Sequence, residues 1–318
     1  MDNPASTVKP DLSCLSPIPS WVARNNSKTS ETGPFLSGAS LAMLHMVLTD
    51  PAEVLPAKLL RNRMALRAAE ACLKLEGRGE SEADIRDAYY LVRVGDAFGP
   101  AGDMFARWRK VSAIGLKRKD WLARVGTCVP EPVAEGLPEW IDMAMGQRAG
   151  QGGSPVEQAA RMVEFVIAAY PREEAPALIC GDLVLARALG WAHPVPLLGL
   201  HLKRRELQVA GGELSLACHR AIARGAQDAV RLAHDLARRV QRLREVAPKL
   251  RAKGSAAAVA LFLREDAVLP SLMLSPKILG TNIEMTDRAA RRLCDRLVEL
   301  GAVRELSGRS TFRLYGVA

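Results

Sequence analysis

Apolar positions along most of this chain recur every three or four residues, the period of a helix with one buried face. Ser40–Asp50 predicts a short apolar helix stopped at Pro51. Pro56, a residue suited to a first helical turn, opens a longer helix to about Glu76, with Leu59, Leu60, Met64, Ala68, Cys72 and Leu75 on the buried face. Gly77-Arg78-Gly79 breaks it, and Ser81-Glu82-Ala83-Asp84 reads as the capped start of a helix through Val92. Val129–Pro138 holds Pro130, Pro132 and Pro138 and reads as a linker before a short helix over Pro138–Arg148. Pro155–Tyr170 and Glu173–Leu189 predict an antiparallel pair around Pro171. The longest pattern runs over 214–247, where Ala226, Ala229, Ala233, Leu236, Val240, Leu243 and Ala247 form a seam for a partner helix, in the same chain or in a second copy.

The period changes near the C-terminus. Thr286 is a good N-cap for a helix over 286–300 with Ala289, Leu293, Leu297 and Leu300 as its apolar stripe. Arg288, Arg291 and Arg292 fall on the other face, and Gly301 ends the helix. Val303–Leu306, a turn over Ser307–Ser310, and Thr311–Tyr315, in which Phe312 and Leu314 alternate with polar neighbours, predict a hairpin. With a first helix over Gly254–Asp266 and a short second one within Ser275–Leu279, the order is that of a winged helix-turn-helix. The expected fold class is therefore mainly α: a helical bundle followed by a C-terminal winged helix-turn-helix with a small β-hairpin. The expected divisions are a flexible arm over 1–34, helical regions over 35–148 and 149–252, and the winged module over 253–318.

Composition supports helices, because Ala and Leu supply most of the apolar content. The charge is uneven. Residues 211–318 hold 19 Lys/Arg against 11 Asp/Glu, a net +8, while residues 1–150 hold 19 against 18. Excess positive charge gathered on one module is the footprint of a polyanion partner. A soluble basic surface is the plainer reading.

That charge gives the helix–hairpin its chemistry. The N-terminal part of the second helix of such a motif meets base edges, so Arg288, Arg291 and Arg292 would meet double-stranded DNA. Arg309 at the hairpin tip, with Arg304 and Arg313, would reach a neighbouring backbone or minor groove. The expectation is a DNA-binding protein acting as a transcriptional regulator, with homodimerisation through the helical region. The alternative is a non-catalytic all-α scaffold whose winged helix contacts protein, its arginines paired to Asp295 and Glu299. Arg107, Arg109, Lys110, Lys117, Arg118 and Lys119 beside Trp108 and Trp121 form a candidate auxiliary contact, against the plainer reading of a solvated face with a packed Trp.

Other chemistry finds little footing. The glycine-rich run over 95–102 lacks the spacing of a phosphate-binding loop and reads as a turn. Cys14, Cys72, Cys128, Cys180, Cys218 and Cys294 are far apart in sequence, which fits reduced thiols rather than a disulfide framework or zinc site. His193 and His201, or His219 and His234, make no metal signature. No catalytic residue, cofactor or metal is expected, and no membrane segment, since the apolar stretch Phe35–Leu48 is short for a bilayer. A cytoplasmic protein follows from this reading.

The run APKLRAKGSAAAVALFLREDAV, with TDRAARRLCDRLVELGAVRELSGRSTFRLYG, LEGRGESEADIRDAYYLVRVGDAFGPAG and LVLARALGWAHPVPLLGL, resembles the domain-of-unknown-function family 1403 of soil and plant-associated bacteria. The resemblance covers the chain from about Trp21 and implies no particular activity. The last module also resembles the winged helix appended to some Fic-type adenylyltransferases. Their His-Pro-Phe motif has no counterpart here, where His193-Pro194 is followed by Val195, so the resemblance does not imply their activity.

Overall fold

The computed structural model describes residues 17–23, 32–49, 55–93, 95–146, 153–308 and 312–317. It is mainly helical. The helices are α1 (Ser20–Ala23), α2 (Thr32–Thr49), α3 (Ala57–Leu75), α4 (Glu82–Tyr90), α5 (Gly99–Ser112), α6 (Trp121–Gly126) and α7 (Glu131–Ala144). They continue with α8 (Pro155–Ala169), α9 (Glu174–Ala188), α10 (Leu198–His201), α11 (Gly211–Val246), α12 (Ser255–Phe262) and α13 (Asp287–Glu299). Strands β1 (Val303–Glu305) and β2 (Tyr315–Val317) pair antiparallel, with Arg304 opposite Gly316.

α11 is the spine. At about 1.5 Å per residue its 36 residues span roughly 54 Å. Its small residues let α2 lie along it, and α8 covers another flank. The seam Ala226, Ala229, Ala233, Leu236, Val240 and Leu243 is fully buried within the one chain, so elements of the same chain cover it rather than a second copy. α2 carries no Asp, Glu, Lys or Arg, and its buried hydroxyls find partners on α11. Ser37 Oγ lies 2.7 Å from His219 Nδ1, and Gln227 Nε2 donates to Ser40 Oγ at 3.2 Å.

The same Gln227 amide donates to the Val22 carbonyl at 3.1 Å, and Val22 is fully buried. Of the arm expected over 1–34, residues 17–23 are thus docked at least in part, and α2 already begins at Thr32. Trp21 stays half-exposed against the Phe35 ring, 5.7 Å between centroids.

Two expectations are corrected. The proline-rich stretch at 130–138 belongs to α7. Pro132 sits in the first turn, where its missing N–H is unused, and Pro138 forfeits one interior bond. Burial of Val133, Leu137, Ile141 and Ala144 along one face outweighs that loss. Second, the short helix expected over 275–279 is absent. One wide helical turn forms earlier, at Pro270–Leu274. Ser275 precedes Pro276, which disfavours the helical region, and Ser275 is extended (φ −127°, ψ 145°). Lys277 then pairs antiparallel with Glu284.

The glycine-rich run is a turn into α5. A Cβ on Gly102 would lie 2.6 Å from Phe98 Cβ and 3.0 Å from the Ala88 carbonyl oxygen, so glycine there permits the close crossing of α4 and α5. Deeper in the bundle, Asp182 organises the bend before α10. Its Oδ1 accepts the Leu197 and Leu198 N–H groups at 3.1 and 2.9 Å, and its Oδ2 accepts Gly199 N–H at 3.3 Å. Burial pushes this carboxyl up to about 7, against the opposing pull of those three donors.

Most of the buried apolar residues form one continuous cluster from Leu41 to Val317. It crosses the expected divisions at 148/149 and 252/253, and residues 147–152 lie outside the described set.

Candidate functional site

α13 forms a ridge between two grooves. Thr286 caps it, its Oγ1 accepting Ala289 N–H at 3.3 Å, and Arg242 Nη2 on α11 donates to the Leu300 carbonyl at 3.1 Å at the far end. The stripe that goes into the core is Ala290, Leu293, Cys294 and Leu297, while Ala289 and Leu300 are only half-buried. This leaves Arg288, Arg292 and Arg296, four residues apart, in one exposed row.

That row lines an open groove of about 630 Å³, closed on its other side by the segment Lys249-Leu250-Arg251-Ala252 that joins α11 to α12. Five cations line it: Lys249, Arg251, Arg288, Arg292 and Arg296. Its lining includes no carboxylate. Arg296 is tied to Glu299 at 2.9 Å in an exposed pair, whereas Arg288 and Arg292 have no acidic partner among the described residues. Gly254 makes the tight entry to α12 in the left-handed region (φ +84°), where a Cβ would meet Ile283 Cγ2 at 2.9 Å.

The second groove, about 410 Å³, lies between α13 and the hairpin and is lined by Arg291, Asp295, Phe312, Arg313 and Leu269–Ser271. Arg291 pairs with Asp287 at 2.5 Å rather than with Asp295. Arg313 approaches Glu305 at 3.7 Å. Val268 bridges to Tyr315, which adds a third extended segment beside the hairpin.

The six arginines singled out from the sequence therefore divide. Arg288 and Arg292 share the basic groove, and Arg291 and Arg313 share the second one. Arg304 lines neither groove; it stands opposite Gly316, where a Cβ would meet the Asp266 carbonyl oxygen at 2.9 Å and Arg63 Nη2 at 3.2 Å. Arg309 lies outside the described residues. Lys249, Arg251 and Arg296 were not singled out. The alternation Lys249-x-Arg251-x-Lys253 and the row 288, 292, 296 carried that signal.

The last module is bolted to the bundle by the carboxylates that follow α12. Asp266, fully buried, has Arg63 Nε at 2.6 Å on one oxygen and Arg86 Nε at 2.6 Å on the other. The Arg63 contact is a charge contact without hydrogen-bond alignment, and Arg63 Nη2 donates instead to the Asp266 carbonyl at 3.2 Å. Glu265 takes Lys58 at 2.9 Å and Arg109 at 2.5 Å. Asn62 Nδ2 donates to the Arg264 carbonyl at 2.9 Å.

Arg109 is thus taken up at the seam rather than left on a solvated face. Its guanidinium lies 5.1 Å from the Tyr89 ring centroid and 5.8 Å from that of Tyr90. Burial alone would lower its pKa, but Tyr90, Tyr89 and Glu265 more than reverse this and raise it. Trp108 is core, and Trp121 lies under Arg187 at 4.9 Å. Lys117, Arg118 and Lys119 remain exposed, Arg118 on Asp120.

Residues 6–317 match the family described as protein of unknown function (DUF1403). The chain belongs to the DUF1403 family. No curated protein and no solved structure matches it. In this DUF1403 protein no helix among the described residues is long and apolar enough to cross a membrane.

Four histidines of this family member have separate partners, His219 being the one beside Ser37. His201 Nε2 lies 2.9 Å from Asp228, His193 Nδ1 3.1 Å from the Ile114 carbonyl, and His45 Nδ1 accepts Trp191 Nε1–H at 3.1 Å. Among the described residues no three His, Cys, Asp or Glu side chains converge as metal ligands. Cys72, Cys128, Cys180, Cys218 and Cys294 are buried and free, and burial raises their thiols, Cys72 to about 12.

Proposed function

We propose that this DUF1403 protein is a non-enzymatic transcriptional regulator that binds double-stranded DNA through a winged helix-turn-helix over 253–318, with α13 as its reading helix. The observation that carries the reading is the basic groove: five cations from two segments, no carboxylate in the lining, and its central pair Arg288 and Arg292 unpaired. Desolvated guanidinium groups inside a fold take carboxylate partners; guanidinium groups left in water in a row are positioned for phosphates. The order of elements supports the module. α12, the extended residue Val268, one short turn, α13 and the β1–β2 hairpin follow one another as in winged helix-turn-helix proteins. The likeness to the winged helix of some Fic-type proteins points the same way.

The N-terminal turns of α13 would enter the major groove. Arg288 and Arg292 would there reach base edges or phosphates, while Lys249 and Arg251 would hold the adjoining backbone. Arg291 and Arg313 would serve from the second groove. The scaffold alternative requires these arginines to be buried against carboxylates. Arg288, Arg291 and Arg292 are all exposed, which favours DNA.

Fluorescence anisotropy with duplex DNA across a salt series tests this. Arg288→Ala/Arg292→Ala should weaken binding and flatten the slope of log K against log salt by about one for each phosphate that goes unneutralised. Equal binding by wild type and variant, or no binding by wild type at low salt, would sink the assignment of α13.

A further inference from the structure

A cavity of about 440 Å³ opens at the seam between the bundle and the last module. The bundle supplies Tyr89, Tyr90 and Phe98, and the module supplies Leu272, Met273 and Leu279. Small-molecule sites have this size, roughly 300–1,000 Å³, and this character: apolar and aromatic walls, a few polar groups, and a position between two parts of a fold.

Three features define what would fit. First, Leu272 and Leu279 are each 50% exposed, so the module leaves large apolar side chains uncovered here. Second, the charges lining the cavity cancel. Arg109 is held by Glu265 at 2.5 Å, and the exposed Arg93 and Asp96 carry opposite signs. These four charges sum to zero, so a charged ligand gains no net attraction here. Third, Tyr90 is 7% exposed; its hydroxyl accepts Arg109 Nη1–H at 3.1 Å, and its own proton has no acceptor among the described residues. A buried donor without an acceptor is costly and normally finds a partner.

We infer that this cavity binds a neutral aromatic molecule of about two rings, whose carbonyl oxygen accepts the Tyr90 O–H while its rings lie against Tyr89, Phe98, Leu272 and Leu279. Because both halves of the chain line the cavity, such a ligand would bridge α4 and α5 to the last module. The site does not depend on the DNA reading, and the assay contains no DNA.

The probe is 2-acetyl-6-(dimethylamino)naphthalene, a neutral ketone whose emission shifts to the blue in apolar surroundings. Titrated against the full chain, it should bind saturably at one per chain with a blue shift. Leu272→Asp alters a half-exposed side chain and should weaken binding about tenfold or more. Tyr90→Phe should weaken it by roughly two- to tenfold, the worth of one hydrogen bond. The analogue without the acetyl group should bind the wild type more weakly and should not distinguish wild type from Tyr90→Phe, a comparison that separates the hydrogen bond from any change in folding. Absence of saturable binding by the wild type, unchanged binding by Leu272→Asp, or equal wild-type affinity for ketone and analogue would overturn the inference.

Discussion

Arg63 and Arg86 at the seam and Arg288 and Arg292 on α13 are the same residue type in two opposite settings. The seam pair is nearly buried and shares the two oxygens of one buried carboxylate, Asp266. The α13 pair is exposed and has no acidic partner among the described residues. Taking a guanidinium out of water costs several kcal/mol, so a buried one persists only where a carboxylate waits for it. An arginine in water needs no such partner and stays free to meet one from outside. Net charge alone therefore misplaces function. Arg109, in the basic stretch of the first half, is taken up by Glu265, whereas the cations of the groove beside α13 face no carboxylate in its lining.

The sharpest break of this contrast is Asp266→Ala, which leaves buried Arg63 without a carboxylate and Arg86 with only the half-exposed Glu82 at 3.1 Å. It should cost about 3–5 kcal/mol in urea unfolding, because a lone buried charge is penalised far more than a pair is rewarded. A loss below about 1 kcal/mol would mean that water reaches the seam. Gly316→Ala is next: its Cβ would press on the Asp266 carbonyl oxygen at 2.9 Å and on Leu306 Cδ1 at 2.8 Å. Overpacking of this kind should cost about 1–3 kcal/mol, read as a lowered unfolding midpoint.

Acid should loosen the same seam. Burial would raise the Glu265 carboxyl, but Arg109 and Lys58 outweigh it and hold the pKa below the usual glutamate value. A depressed folded pKa means stability present above the unfolded value and lost as pH falls through the folded one, so the loss begins near about pH 4 and continues below it. Glu265→Gln should flatten that limb of the stability profile, and an unchanged acid limb would place its origin elsewhere. The smallest effect is expected on α13. Arg288→Ala and Arg292→Ala should each change stability by no more than about 0.5 kcal/mol, as exposed substitutions do. A larger drop in thermal melts would show that the row is structural, and would weaken the contrast.

Much of the architecture was legible in the sequence because local signals agreed with packing. Ser154 and Glu157 form a reciprocal cap at α8, and Ser81 with Asp84 does the same at α4. α9, α11 and α13 lie within a few residues of their predicted ends. Where local signals conflicted with packing, the reading failed. Prolines at 130–138 outvoted the apolar face of α7, and the short helix expected over 275–279 is missing, with one wide turn at Pro270–Leu274 in front of it. On α13 the spacing identified the helix but set the buried stripe one residue off at Ala289, and it therefore overlooked Arg296 as a continuation of the row.

By itself the sequence determined the mainly helical class, the long α11, the cap and end of α13, and the concentration of positive charge in the last third. These are local properties, set by periodicity, capping and composition. Only the tertiary structure decided which cations are neutralised, that the α11 seam is covered from within the same chain, and that Glu265 and Asp266 clamp the last module to α3, α4 and α5. Those pairings join residues about 150 to 200 positions apart. No local pattern encodes such a partnership, because it is the cost of burying a charge, met only when the chain closes, that selects it.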